Sequence, residues 1–348
     1  MPIVIEQPRT EAELVAIVRR AAVDGRRVRA VGRARRSRVL RGDEIQVDFA
    51  AYRRVQRVDR ERATATVEAG ITLRELGIAL GSWGLSMENG GRQPGQTLGA
   101  AVSLGAHGSG ATHGGLATQV TGLRLVTPSG TVIDCSASEE PEIFDAARVG
   151  RGMLGVISTV TLRCQAGFNL RSEVTSVGLD EGLATFDTYV DGHEYAELSW
   201  LPGRDRARIV TADRTDEPAD GGAVDRGYRW FNRRRIWPAK VAYSFARPAS
   251  GPALQRAREL SAGRRSAPLF PIEVSVTAAD DIALSPAQGR PSLFIAGVAG
   301  LSGRPEWGSA HGLGPDALRA MYPRWDEWQA VRDRLDPTRR FAQSRGQG

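Results

Sequence analysis

A run of small side chains is the part of this chain best suited to hold a ligand. From Gly95 to Gly115 nearly every residue is Gly, Ala, Ser or Thr, with His107 and His113 among them. Side chains of this size let a bulky, flat or anionic ligand lie directly against backbone N–H groups. A flexible linker is the alternative. We favour an ordered segment that begins as a buried strand, because apolar residues alternate along it at Leu98, Ala100, Val102 and Leu104.

The elements predicted around this segment are short helices mixed with strands. Thr10 with Glu13, and Thr72 with Glu75, have the capping-box spacing that begins a helix, and Gly25 is expected to end the first one. Apolar periodicity predicts the other elements up to residue 166: strands at 27–31, 45–49 and 155–163, hairpins at 55–68 and 120–134, and a helix at 140–149. This order indicates an α+β fold.

Composition and charge narrow the class of protein. The chain has 348 residues, 41% of them hydrophobic and 25% charged, which is typical of a globular protein with room for two domains. The formal charge of +7 raises the question of nucleic-acid binding. Lys240 is the only lysine among 47 basic residues dispersed along the chain, so we predict no nucleic-acid partner.

Other patterns bear on location and metal binding. No apolar run approaches the roughly 18 residues of a membrane span, and the first residues do not have the pattern of a secretory signal. Cys135 and Cys164 have no CxxC spacing, and the four histidines are scattered. We therefore predict a cytoplasmic protein with no disulfide framework, no metal site and no membrane partner.

The small-residue segment resembles a known family. Gln96, Thr97 and Leu98, followed by Ala106, His107 and Gly108, are similar to the flavin segment of the vanillyl-alcohol-oxidase-type (PCMH-type) FAD-binding domain. Within that superfamily the chain is most similar to alditol and D-arabinono-1,4-lactone oxidases. The resemblance implies a two-subdomain FAD-binding domain over residues 1–166. Residues 167–348 would form a shortened α+β substrate-binding cap and a C-terminal return.

The resemblance also implies which residues hold FAD. In the family a loop after an early strand cradles the pyrophosphate, and a histidine in it often tethers the flavin. Arg35 occupies that position here, so the resemblance implies noncovalent FAD. Arg33, Arg35 and Arg36 would hold the diphosphate or form a solvated basic loop. The implied cofactor-binding residues are Gly32, Arg33, Ala34, Arg35, Arg36, Ser37, Gln96, Thr97, Leu98, Val102, Gly105, Ala106, His107, Gly108, Gly110, Val156 and Ile157.

The expected catalytic positions depart from the family pattern. The oxidases carry a Glu and an Arg two residues apart on one cap strand, and this chain has Glu273 and Ser275. The family motif Arg-Pro-His-Trp-Gly-Lys appears here as residues 304–309, with Glu306 at the histidine and Ser309 at the lysine. Reduction places negative charge on a flavin, which a nearby cation stabilises. These replacements therefore remove expected cations and add a carboxylate.

Two functions remain open from the sequence. The first is an FAD-dependent oxidoreductase acting on a small hydroxylated or biosynthetic intermediate, and not a standard alditol or aldonolactone oxidase. Glu273 would be its general base or a structural carboxylate bonded to backbone or to an arginine, and the same two roles are open for Glu306. The second keeps the fold without redox chemistry, as a non-redox enzyme or a non-catalytic binding protein using Glu273 and Glu306. The sequence does not predict the oligomeric state.

Overall fold

The computed structural model describes residues 4–32, 43–218, 241–262 and 270–341. The chain begins with a small parallel sheet in the strand order β1-β3-β2, covered by helix α1. Its elements are β1 (Val4–Glu6), α1 (Glu11–Val23), β2 (Arg27–Val31) and β3 (Glu44–Asp48). Thr10 caps α1 by accepting from the Glu13 N–H at 3.2 Å, as predicted. The Glu13 carboxylate instead accepts from the Arg9 N–H at 2.7 Å.

A five-stranded antiparallel sheet follows, in the order β4-β5-β9-β7-β8. One face carries apolar residues that pack against three helices, and the other face is polar. The elements are β4 (Val55–Asp59), β5 (Thr64–Glu68), α2 (Leu73–Ser82), β6 (Leu85–Ser86), α3 (Leu98–Ser103), β7 (Val120–Val126), β8 (Val132–Ser136), α4 (Pro141–Arg148), β9 (Val156–Arg163) and β10 (Gln165–Ala166), which pairs with β6. Both predicted hairpins are confirmed, and Thr72 and Glu75 form a complete capping box.

The strand predicted at Leu98 is wrong, because the segment is the short helix α3. The Ala101 N–H donates to Thr97 O at 2.9 Å, and the Leu104 N–H donates to Ala100 O at 3.1 Å. The buried positions are Leu98, Ala101 and Val102, spaced as on one helix face. Leu98 and Val102 fit both periodicities. Six residues of Leu, Gly, Ala, Val and Ser were too short a pattern to separate helix from strand.

The second large sheet has seven strands among the described residues, in the order β11-β13-β12-β15-β16-β14-β17. Its strands and helices are β11 (Asn169–Gly178), α5 (Leu179–Gly192), β12 (Tyr195–Trp200), β13 (Arg206–Thr215), β14 (Ala242–Ala246), α6 (Ser250–Ala262), β15 (Ile272–Thr277), β16 (Ser292–Ala296) and β17 (Arg304–Pro305). Helices α5 and α6 cover the face formed by Ile272, Val274 and Val276. The opposite face of β15 carries polar side chains.

The C-terminal helices return to the first half of the chain. Helices α7 (Pro315–Met321) and α8 (Trp325–Leu335) place Trp325 and Trp328 in the same apolar core as Leu76 and Leu98. Beyond them Phe341 forms a bridge with Val28 of β2. The mixture of helices and strands confirms the predicted α+β class. Within the part of the chain that the structure describes, no helix is both long enough and apolar enough to cross a membrane.

Candidate active site

The polar face of β15 forms one wall of the candidate site. Glu273, Ser275 and Thr277 point to the same side because side chains alternate along a strand. Ser275 lies opposite Glu197 on β12 and opposite Phe294 on β16. Ser275 Oγ and Thr277 Oγ1 are buried and have no hydrogen-bond partner among the described residues. Buried hydroxyls without partners are uncommon, so this face is suited to a polar ligand.

The small-residue segment meets the end of this wall through its backbone. Gly110 forms a parallel bridge with Thr277, and the Ala278 N–H donates to His113 O at 2.9 Å. Gly110 has a φ of +122°, and a Cβ there would lie 2.8 Å from Glu194 O. Only glycine fits this conformation and this approach without strain. The segment is therefore docked on the cap, and the linker alternative is excluded.

His107 and Glu306 contact each other across the two halves of the chain. His107 Nε2 lies 2.9 Å from Glu306 Oε1, and Nδ1 lies 3.0 Å from Gly108 O. Both partners are hydrogen-bond acceptors. The ring also stacks on Phe294 with centroids 3.7 Å apart. The Glu306 carboxylate therefore has a polar partner from the first half of the chain.

Arg92 forms a second charged contact between the halves. It lies in the loop between β6 and α3, and its Nη2 is 3.1 Å from Glu273 Oε2. Its Nε is 3.4 Å from Glu197 Oε1. The side chains of Arg92 and Glu273 are 20% and 12% exposed, so the pair is largely shielded from water. Two carboxylates of the cap thus share one guanidinium from the other half.

A third contact between the two halves of the chain surrounds His113. Its Nδ1 lies 3.2 Å from Glu88 Oε1, and its Nε2 lies 3.1 Å from Glu194 Oε1. The ring stacks on Tyr195, whose hydroxyl donates to Glu88 O at 3.0 Å. Arg214 also donates to Glu194, at 2.8 Å. This cluster fixes the small-residue segment against the beginning of β12.

Apart from Thr97, His107 and Gly110, the predicted cofactor residues fall into four groups. Arg33, Ala34, Arg35, Arg36 and Ser37 lie outside the described residues. Gly32 packs against Thr97, since a Cβ on Gly32 would come within 2.6 Å of Thr97 Oγ1. Leu98 and Val102 point into the apolar core and could contact a ligand only through their backbone. The remaining positions lie just before α3 (Gln96), in the loop after α3 (Gly105, Ala106 and Gly108) or on β9 (Val156 and Ile157).

Ser309 lies one turn beyond Glu306 and does not contribute a cation. Its N–H donates to Glu306 O at 2.9 Å, and its side chain is buried. Trp307 between them donates from Nε1 to Leu284 O at 2.6 Å and stacks under the guanidinium of Arg151 at 4.1 Å. Burial lowers the pKa of Arg151 to about 9. The segment after β17 is thus anchored in the core, with Glu306 reaching the site.

These features fit an FAD molecule. The close approach of Gly32 to Thr97 brings the end of β2 to the beginning of α3, where only a glycine leaves space for backbone contact. Gly110 borders the polar wall of β15, whose buried hydroxyls lack partners among the described residues. No group of three or more described His, Cys, Asp or Glu residues could hold a metal ion.

Comparison with known proteins identifies the family. A model named FAD binding domain matches residues 2–136, and the D-arabinono-1,4-lactone oxidase model matches residues 160–233, 220–299 and 298–345. L-gulono-1,4-lactone dehydrogenase of Mycobacterium tuberculosis is 33% identical, over 98% of this chain and 94% of that protein. The chain belongs to the D-arabinono-1,4-lactone oxidase family. Its predicted FAD cofactor and its class, a flavin-dependent oxidoreductase, are thereby confirmed, while noncovalent attachment stays a prediction.

Further relatives agree with this assignment. L-gulonolactone oxidase of Bos taurus is 29% identical, over 96% of this chain and 92% of that protein. The alignment with the mycobacterial relative spans 406 positions against 348 residues here, so that family member contains segments that this chain lacks. Cholesterol oxidase of Brevibacterium sterolicum has the same fold, with a TM-score of 0.76 at 15% identity over 98% of this chain and 92% of that one.

Sequence reasoning missed the residues that pair across the two halves. Arg92 and Glu88 lie just before the small-residue segment, and Glu194 and Glu197 lie at the beginning of β12. Nothing local marks them, because their partners are distant in sequence. The one signal in the sequence was the loss of the cations that the resemblance places on the cap. That loss indicates that cations must come from elsewhere in the chain.

A groove elsewhere on this protein differs from the candidate site in the residues that line it. It has a volume of about 670 Å³ on the polar face of the five-stranded sheet and is lined by none of the predicted site residues. Its charges satisfy one another, since Arg124 donates to Glu11 at 2.7 Å and to Asp134 at 2.5 Å. Burial raises the pKa of Glu11, but bonds from Arg124 and Ser158 bring it below its ordinary value.

Proposed function

We propose that this protein binds FAD noncovalently and oxidises a small hydroxylated compound, with Glu273 as the general base. The observation that carries the proposal is the position of Glu273. Its carboxylate lies on the polar wall of β15, which the small-residue segment meets at Thr277. A carboxylate beside the cofactor segment can take the hydroxyl proton as the substrate is oxidised. Residues 1–166 would hold the cofactor and residues 167–348 the substrate.

The chain's own residues would hold the cofactor and the substrate next to each other. When bound, FAD supplies the electron acceptor for the carbon that bears the hydroxyl group. Gly32, Thr97 and the backbone from Ala106 to Gly110 would contact it, and the basic residues from 33 to 36 would hold its diphosphate. Because position 35 is arginine, a histidine tether to the flavin is not available there.

The substrate we propose is not a standard alditol or aldonolactone. The names of the relatives place aldonolactones first among compounds to test. Ser275 and Ser309 are short where the resemblance implies long cationic side chains, and Glu306 is paired with His107. Both differences alter the space and charge that a substrate would meet. The pairing of Glu306 also disfavours the non-redox alternative, which needs that carboxylate as an acid or base.

We also propose a cytoplasmic location and a small-molecule substrate as the partner. The support for the location is that Cys135 and Cys164 are both free and buried. Burial raises the pKa of the Cys135 thiol to about 12 and that of Cys164 to about 11, so neither is reactive. Free, unreactive thiols are typical of proteins in a reducing compartment.

The test begins with the purified protein and added FAD. We expect a yellow complex whose flavin is released completely when the polypeptide is denatured and precipitated. Under anaerobic conditions, a panel of aldonolactones, alditols and other small hydroxylated compounds is then added, and the visible flavin band is followed. Bleaching by a compound outside the first two classes supports the full proposal. Flavin retained in the precipitate, or bleaching only by aldonolactones, would contradict its finer parts.

A further inference from the structure

The cations that the cap lacks are found on the opposite side of the site. The resemblance places an arginine at position 275 on β15, and this chain has a serine there. The guanidinium of Arg92 instead reaches Glu273 from the loop before α3, at 3.1 Å. Arg92 belongs to the half of the chain that matches the FAD-binding model.

The register of the cap sheet places this guanidinium beside Ser275. Arg92 contacts Glu273, two residues before Ser275 on the same face, and Glu197, the residue opposite Ser275 on β12. Ser275 is fully buried, and its Oγ lacks a hydrogen-bond partner among the described residues. A second long cation at position 275 would therefore lie close to the Arg92 guanidinium.

The charge and the position of Arg92 suit it to keep the Glu273 carboxylate ionised and oriented. Glu273 must be ionised to accept a proton, and a largely buried carboxylate is kept ionised by a nearby cation. A guanidinium also fixes the orientation of a carboxylate through its forked donors. Glu197 shares the same guanidinium, so Arg92 is held between two strands of the cap.

We propose that Arg92 is the positioning residue for Glu273, supplying from the FAD-binding half the guanidinium that position 275 lacks. This rests on the proposed function, in which Glu273 is the base. Arg92 acts through Glu273, which it keeps ionised and aimed at the substrate. The site of this chain is thus built across the boundary between its two halves, and docking of the halves is needed to complete it.

The first test measures the pairing without any flavin. Urea unfolding of wild type, Arg92→Gln, Glu273→Gln and the double variant gives the coupling between the two side chains. We expect about a tenfold coupling in the unfolding equilibrium constant. Independent effects of the two substitutions would overturn the proposal. If wild type fails to take up FAD, the proposed function fails, and this coupling still decides whether Arg92 holds Glu273.

The second test measures the consequence for the reaction. In anaerobic mixing with substrate, Arg92→Gln should slow flavin reduction on the order of 10- to 100-fold. Its pH profile should also move upward, because the neutral form of a buried carboxyl is favoured without a cation. Arg214→Gln is the matched control, since Arg214 also pairs with a glutamate at the boundary but does not contact Glu273. Equal rates and profiles for Arg92→Gln and wild type would overturn the proposal.

The third test moves the cation. In Arg92→Ser/Ser275→Arg the arginine returns to β15 and takes the volume that Arg92 vacates, and we expect at least tenfold recovery over Arg92→Ser. Arg92→Lys covers the case in which the double variant does not fold. A lysine keeps the charge without the fork, so its rate should lie between those of wild type and Arg92→Gln. A lysine variant as slow as the glutamine variant would contradict a role for the charge.

Discussion

The two sides of the candidate site are built differently. On the side of the FAD-binding half, the segment from Gly95 to Gly115 offers backbone and small side chains, together with two histidines. On the cap side, β15 offers Glu273 and two buried hydroxyls on a polar face. The first side has the shape for a flat cofactor, and the second has the groups for proton transfer. Neither side has a complete set of charges alone.

The charges are completed by contacts across the boundary. Glu273 obtains its cation from Arg92, and Glu306 contacts the His107 ring. Family resemblance places such cations on the cap, so cap residues considered alone suggested a site that had lost its electrostatic support. The comparison of the two sides shows instead that positive groups come from the FAD-binding half. The predictions below test this division, from the largest expected effect to the smallest.

The largest effect is expected at Glu273. Glu273→Gln removes the proposed base while keeping its size, and flavin reduction should slow by about 10²- to 10⁴-fold. Rapid-mixing absorbance measurements under anaerobic conditions give this rate. Glu194→Gln is the control, because that carboxylate also lies at the boundary but contacts His113. A Glu273→Gln protein that reduces its flavin at the wild-type rate would remove this residue from the mechanism.

The docking of the small-residue segment is tested at Gly110. Gly110→Ala places a Cβ 2.7 Å from His113 Cδ2 on a backbone with a φ of +122°. We expect a loss of about 2–3 kcal/mol in the free energy of unfolding and weaker FAD binding. Gly77→Ala is the control, since that glycine is in α2 and its Cβ would have open space. Comparable stability of the two variants would show that the segment is not held as described.

The His107–Glu306 pair is expected to have a smaller effect. Glu306→Gln keeps a carbonyl oxygen near His107 but removes the charge, so stability should fall by about 1–2 kcal/mol. Urea unfolding measures this loss, and FAD titration shows whether the segment still binds the cofactor. Glu259→Gln serves as the control, because Glu259 pairs with Arg256 on the exposed side of α6. A loss no greater than that of the control would show that the His107–Glu306 contact adds nothing to the free energy of unfolding.

A buried carboxyl that is held mainly by hydrogen bonds provides the contrast within the cap. Asp280 accepts from the Ile282 N–H at 3.1 Å and from the Ser285 hydroxyl at 2.5 Å. Burial raises the pKa of Asp280 to about 6, and these two bonds offset only part of that rise. Its folded pKa lies above its unfolded value, so its contribution to stability is full below about pH 4 and is lost as pH rises through 6.

Asp280→Asn should remove this dependence. Compared with wild type, the variant should gain up to about 3 kcal/mol of stability between about pH 4 and pH 7. Urea unfolding at several pH values provides the measurement. The neighbouring Asp281, whose side chain is 86% exposed, gives the control variant Asp281→Asn. Parallel stability curves for wild type and Asp280→Asn would contradict the assignment.

Most of the fold could be predicted because its signals are local. Thr72 and Glu75 mark the beginning of α2, and alternating residues mark the strands of the five-stranded sheet. The failure at Leu98 has the same origin. A short apolar pattern without charged or turn residues fits two periodicities, and packing against β9 and the neighbouring helices decides between them.

The site could be predicted only in part. Glu273 and the small-residue segment are visible because a family resemblance marks them along the chain. Arg92 and its contact with Glu273 are invisible, because the pairing depends on how two sheets from different halves come together. The contact of His107 with Glu306 likewise joins residues 199 positions apart. Electrostatics of this kind follows from tertiary contacts and not from local pattern.

A crystal structure of the protein grown with FAD tests the central claim most directly. We predict the flavin ring beside the polar face of β15 and bordered by the small-residue segment, with the Glu273 carboxylate held by Arg92 at its edge. Protein side chains filling that space would contradict the account. Flavin bound elsewhere, such as in the groove on the five-stranded sheet, would contradict it equally.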